Sequence, residues 1–155
     1  MHLRELRASD REVLATLIRG SAAFREDEIE VALELIDAGL DSRSGYLFVV
    51  AADEHERALG YACYGLTPLT DGVYDLYWIV VDAARQRSGV GRQLLEAVKR
   101  DARARHGRCV IIETSGKPSY ASQRAFYERC GCEMLARYPD FYRVGDDKLV
   151  YMVRL

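Results

Sequence analysis

No stretch of this chain is apolar for long enough to cross a bilayer. The N-terminus, Met1-His2-Leu3-Arg4-Glu5-Leu6-Arg7, alternates polar and apolar residues where a secretory leader would present an unbroken apolar core. The chain is therefore expected in the cytoplasm, with no membrane partner. An excess of one charge is also lacking: 22 Lys and Arg stand against 24 Asp and Glu, a formal net charge of −2. Without a global basic field, nucleic acid is not an expected partner, and any polyanion has to be gripped locally. Cysteine is sparse and poorly spaced for metal or disulfide work. Cys63, Cys109, Cys130 and Cys132 lie in strand-like or helix-end patterns, and Cys130-Gly131-Cys132 lacks the two-residue spacer of zinc and thioredoxin motifs. Reduced thiols and no metal are expected. There are no repeats, low-complexity tracts or linkers, and 155 residues suit a single domain, 1–155, with a core of its own.

What is present reads in order as β-αα-βββ-α-β-α-ββ. His2 to Arg7 alternates like a short strand, and Ser9-Asp10 offers an N-cap before the helical spacing Val13, Leu14, Leu17, Ile18. A second helix opens at Arg25-Glu26-Asp27, with Glu26, Asp27, Glu28 and Glu30 near the positive end of its dipole. Its stripe Ile29, Leu33, Ile36, Leu40 stops around Gly39. Three strands joined by short turns follow: Tyr46 to Ala52, Leu59 to Leu66, and Val73 to Val81. Next come a long helix from about Gly89 to His106, a strand from Cys109 to Thr114 and a helix from Tyr120 to Arg129. The tail reads as two strands, Met134 to Tyr138 and Leu149 to Leu155, around a loop with Pro139, Phe141, Tyr142 and Gly145. The strands before and after the long helix are joined by a helical crossover, so they should run parallel.

The organising stretch runs from Ile79 to Leu95. An apolar, β-branched run ends in a short polar loop with two glycines, and the helix that opens there spaces Val90, Leu94, Leu95 and Val98 along one face. Such a loop sets successive backbone N–H groups at the positive end of a helix, which is a place to hold an anion. A Walker loop would need Gly-Lys-Ser/Thr, and a Rossmann unit would need three glycines opening a run of parallel βαβ units. Neither is present.

What remains is Gln86-Arg87-Ser88-Gly89-Val90-Gly91, a Gln-x-x-Gly-x-Gly pattern with Arg85, Arg87 and Arg92 around it. A second segment, Ala125-Phe126-Tyr127-Glu128-Arg129-Cys130-Gly131-Cys132, is similar to the A-x-Y-E-x-x-G-F motif of one family. Together with the order of elements, these motifs resemble the GNAT superfamily of acyl-CoA-dependent N-acyltransferases. The resemblance implies an α/β fold: a mixed, mostly antiparallel sheet of six to seven strands with a parallel, splayed central pair and about four flanking helices. It implies acetyl-CoA as cosubstrate, with Ile79, Val80 and Val81 on the pantetheine arm and Gln86, Arg87, Ser88, Gly89, Val90, Gly91 and Arg92 around the pyrophosphate. Tyr120 stands where many members carry a CoA-contacting asparagine, and Cys132 replaces the usual aromatic.

Acyl transfer from a thioester to an amine needs a neutral nucleophile and a proton for the departing thiolate. The resemblance gives the second role to Tyr127. Two carboxylates compete for the first: Glu113, placed like the glutamate of ribosomal-protein N-terminal acetyltransferases, and Asp75, six residues before Val81, where the histone-acetyltransferase branch carries its glutamate. Glu113 is preferred. Tyr77 and Tyr142 are candidates to line the acceptor pocket. The expected acceptor is the primary amine of a small molecule or amino-acid-like compound. A protein or peptide N-terminus is the alternative, since Tyr138 to Arg143 resembles the acceptor-covering loop of peptide N-terminal acetyltransferases. An acyl-CoA-binding regulatory module without turnover and a nucleotide-phosphate binder are the other readings, and the chain is expected as a monomer or homodimer.

Overall fold

The computed structural model describes every residue except 22 and 23. Its elements are β1 (His2–Arg4), α1 (Arg11–Arg19), α2 (Glu26–Gly39), β2 (Leu47–Ala52), β3 (Ala58–Leu66), β4 (Val73–Val81), α3 (Val90–Ala104), β5 (Cys109–Ser115), α4 (Ala121–Arg129), β6 (Glu133–Arg143) and β7 (Asp146–Arg154). Among the described residues, seven strands form one sheet in the order β1-β2-β3-β4-β5-β7-β6. The pair β4–β5 is parallel, whereas β1–β2, β2–β3, β5–β7 and β6–β7 are antiparallel. This is the mixed sheet with a parallel pair and four helices that the element order implies. The chain divides into two compact units, residues 1–65 with 77–101 and residues 66–76 with 102–155.

In the first unit, Leu14 and Ile18 of α1, Ile29, Ala32 and Ile36 of α2, and Val50, Tyr61, Cys63 and Val80 of the strands close one core. Burial pushes the Cys63 thiol well above its usual range, so it is an inert packing group. The α3 stripe Val90, Leu94, Leu95 and Val98 is buried as its spacing predicts, and the Tyr64 hydroxyl donates to Asp101 on the same helix at 2.7 Å. The acidic start of α2 closes on itself: Glu28 accepts from the Arg25 N–H at 2.8 Å, and Arg25 pairs with Asp27 at 3.0 Å.

Asp10 does not act as the expected cap, for its side chain makes no capping bond to α1. It is buried and receives both terminal nitrogens of Arg4, at 2.7 and 2.8 Å, and the Arg7 N–H at 2.9 Å. Burial pushes its carboxyl up, and these donors outweigh that and hold it below the ordinary range. A carboxyl with a depressed folded value stabilises the fold above its unfolded value, near 4, and loses that contribution as pH falls through the folded one. Asp10→Asn should therefore cost about 1–2 kcal/mol at neutral pH. Urea melts at neutral and strongly acidic pH check this, since the gap between variant and wild type should close in acid.

In the second unit, the parallel register runs from Val73↔Cys109 to Leu76↔Ile112. It starts from a turn in which the Arg108 N–H donates to the Gly72 carbonyl at 2.6 Å and the Arg108 guanidinium donates to that of Asp71. Val110, Ile112, Leu149, Tyr151 and Val153 are buried on one face of the β5–β7 pair. Helix α4 covers this face, with the Tyr151 hydroxyl 3.0 Å from Glu128 and the Tyr127 and Tyr151 rings 6.0 Å apart.

The tail departs from expectation. β6 continues through Pro139, Phe141 and Tyr142 to Arg143, so residues 144–145 alone form the turn. Two register shifts absorb the change, one between Met134 and Ala136 and a larger one between Tyr138 and Arg143, where Asp140 has φ 52°. A proline is tolerated because β6 is the outermost strand, where a missing N–H leaves no neighbour unpaired.

Candidate functional site

The glycine loop belongs to the first unit. β4 brings Ile79 and Val81, both half-buried, and Val80, buried, to a short 3-10 turn at Ala83–Arg85, which Asp82 caps by accepting from the Ala84 N–H at 3.0 Å. Residues 83–89 are all exposed. Two residues give the loop its path: Arg87 at φ 61° and Gly89 at φ 88°, the left-handed region that a glycine enters without strain. The Ser88 hydroxyl is tied to the Arg85 carbonyl at 2.5 Å. The bond closing the first turn of α3 runs from the Gln93 N–H to the Gly89 carbonyl at 3.0 Å. By helix geometry, the N–H groups of Val90, Gly91 and Arg92 then have no acceptor within the helix. Arg85, Arg87 and Arg92 are exposed, and none forms an ion pair among the described residues. Open donors, a helix N-terminus and three available guanidinium groups together fit a diphosphate. Gln86 and Val81 also line a cleft of about 230 Å³ against Leu17 and Ser21 at the end of α1. Tyr77, 38% exposed, meets Tyr46 edge-on at 5.4 Å.

The groups expected to move protons belong to the second unit. Tyr127 is 7% exposed, its ring 5.4 Å from that of Phe126. Burial pushes its hydroxyl well above the ordinary phenol value, and Cys132 and Cys130 add in the same direction. Both candidate carboxylates lie on the opposite face of the sheet from α4. Asp75 is the register partner of Ile111, and Glu113 is two residues beyond Ile111, so alternation puts the two acids on one face of neighbouring strands. Asp75 accepts from the Thr67 hydroxyl at 2.7 Å. Glu113 is half-exposed and pairs with Lys148 at 3.1 Å. Tyr120 is buried at the end of a 3-10 turn, Pro118–Tyr120, and Tyr142, 38% exposed, stands edge-on to Phe141 at 5.2 Å.

Sequence reasoning missed a buried polar cluster at the entry to α4. Asp146, fully buried, accepts from the Ser115 hydroxyl at 2.5 Å and lies 3.3 Å from the Lys117 ammonium. Arg124 donates to the carbonyls of Ser115 and Lys117 at 2.8 and 2.7 Å, stapling the turn before α4 to the helix itself. Lys148 was missed as well. Among the described residues, no group of three or more His, Cys, Asp or Glu is placed to hold a metal ion, and no helix is long and apolar enough to cross a membrane.

Residues 44–132 match the family model of the acetyltransferase (GNAT) domain. A GNAT-family structure from Desulfovibrio desulfuricans is 43% identical, with a TM-score of 0.93 over 99% of this chain and 98% of that one. The ribosomal-protein-S18-alanine N-acetyltransferase of Escherichia coli shares the fold at 18% identity, with a TM-score of 0.78 over 99% and 92% of the two chains. An aminoglycoside 6′-N-acetyltransferase complexed with coenzyme A does so at 14% identity, with a TM-score of 0.78 over 99% and 97%. No curated protein matches the chain.

Proposed function

From its membership of the GNAT acetyltransferase family, we propose that this chain transfers the acetyl group of acetyl-CoA to the primary amine of a small or amino-acid-like acceptor. The observation that carries the reading is the loop from Gln86 to Arg92, whose open N–H groups and exposed arginines match the charge and shape of the CoA pyrophosphate. In this reading Val81 and its neighbours on β4 offer backbone groups to the pantetheine arm. The acceptor arrives as an ammonium ion and gives a proton to a carboxylate, Glu113 in preference to Asp75. Tyr127 keeps its proton at neutral pH and offers it to the departing sulfur as a hydrogen-bond donor. The acetyl–sulfur bond breaks as the acetyl–nitrogen bond forms, the carboxylate keeps one proton of the ammonium, and a second proton lost by the nitrogen passes to the sulfur, leaving an amide and the CoA thiol.

Thiol release from acetyl-CoA in the presence of a panel of small amines, amino acids and peptides tests the proposal. Release with small amines supports it, and release with peptides alone moves the chain to the N-terminal class. Tight CoA binding without release from any amine sinks the enzyme reading. Gly89→Val forces a β-branched residue into a left-handed conformation, so the loop has to re-form. No atom lies within 4 Å of the position that a Cβ would take at Gly89, so the fold itself should tolerate the change. CoA affinity should fall by roughly tenfold or more, read as a smaller rise in melting temperature at saturating CoA. ATP should give no such protection to either protein.

A further inference from the structure

Lys148 sits where neither donor binding nor the core requires a lysine. Its ammonium lies 3.1 Å from Glu113 Oε1, 3.9 Å from the centroid of the Phe141 ring and 5.1 Å from that of Tyr138. The lysine side chain is 13% exposed, but Glu113 is 50% exposed, and Phe141 and Tyr138 are about as open at 53% and 49%. The register builds this cluster. Lys148 stands opposite Ser115 on β5 and Tyr138 on β6, and Glu113 shares the face of Ser115 by alternation. The irregular stretch after Tyr138 returns Phe141 over the same point. A carboxylate and two ring faces converging on one position is the chemistry that recognises an ammonium ion.

We propose that Glu113, Tyr138 and Phe141 form an ammonium-binding box with Lys148 as its resident occupant, and that the acceptor amine enters by displacing Lys148. The inference rests on the acetyltransferase reading, in which the amine arrives charged and leaves its proton on a carboxylate. The carboxylate and the rings that hold Lys148 are themselves half-exposed, so an incoming cation can reach them and compete with the lysine. Lys148 thereby sets specificity. A ligand reaches Glu113 only if it carries its own ammonium group to the point that Lys148 vacates.

Lys148→Met removes the charge and keeps the stem. The KM for the acceptor should fall about three- to tenfold, while kcat and the KM for acetyl-CoA stay near wild type, as expected from loss of a weakly held competitor. Lys148→Arg keeps the pair and should behave as wild type, which separates loss of charge from loosening of the hairpin. An unchanged or raised acceptor KM in Lys148→Met, or a fall of equal size in Lys148→Arg, overturns the proposal. A second measurement needs no turnover: n-butylammonium titrated into Lys148→Ala should perturb the NMR signals of Tyr138 and Phe141 at a concentration about three- to tenfold lower than in wild type. No perturbation at tens of millimolar overturns the box. If wild type releases thiol with no amine, the acetyltransferase reading falls while the butylammonium result still decides whether the box binds a cation.

Discussion

Tyr127→Phe is expected to lower kcat about 100-fold while leaving the KM for acetyl-CoA and the melting temperature close to wild type. The substitution removes one oxygen from a ring that stays packed against Phe126 and Tyr151. The sign of the hydroxyl's shift separates two forms of the proposed role. A free thiol ionises near 8.5, and burial holds the Tyr127 phenol well above its ordinary value of about 10. Complete proton transfer from Tyr127 to a thiolate would therefore run uphill, so in the proposed reaction Tyr127 would contribute a hydrogen bond that strengthens as charge develops on sulfur. Removing a single donor of this kind corresponds to the lower part of the range for proton-transfer groups. The same shift predicts that raising the pH to about 10 leaves Tyr127 protonated. Because its folded value is raised, its share of stability is complete below about pH 10 and is lost only as pH climbs through the folded value. Steady-state thiol release on both proteins is the measurement. A loss of less than about threefold would remove Tyr127 from the chemistry, with donation worth far more than that elsewhere.

Gly72→Ala is expected to cost about 2–4 kcal/mol of folding stability, from the left-handed backbone and the overpacking together. Gly72 has φ 75°, and a Cβ there would lie 2.7 Å from the His106 carbonyl oxygen and 3.3 Å from both Gly107 Cα and Arg108 N. These are backbone atoms, so no side chain can swing aside to relieve the contact. The carbonyl of Gly72 receives the Arg108 N–H one residue before the Val73↔Cys109 pair, so the turn also sets where the parallel register begins. For a chain of this size the melting temperature should drop by roughly 5–15 °C, and a drop of a degree or less would show that the turn opens without penalty.

The element order and the glycine loop were legible in the sequence because each depends on local signals: period-two and helical spacing, strand-bounding turns, and glycines beside a helix start. The tail misled for the same reason. Pro139 and Asp140 punctuate the chain as a loop would, and only pairing with β7 reveals that the strand continues through them. Asp10 has the composition of a cap, yet its partner is Arg4, which β1 carries to it. The surroundings of Glu113 were out of reach because Lys148 is 35 residues away, at the start of a strand whose alternation becomes readable only from Leu149. Asp146 was hidden in a similar way, 31 residues along the chain from Ser115.

β6 is an outermost strand that exposes Met134, Leu135, Tyr138 and Phe141. A flat margin with those side chains would be a template on which strand after strand could stack into a fibre. The two register shifts, the proline and the left-handed Asp140 break the row of donors and acceptors that such growth requires. The irregularity that curls Phe141 over Lys148 therefore also guards the chain against polymerisation, so straightening this hairpin to improve its pairing would trade solubility for regularity.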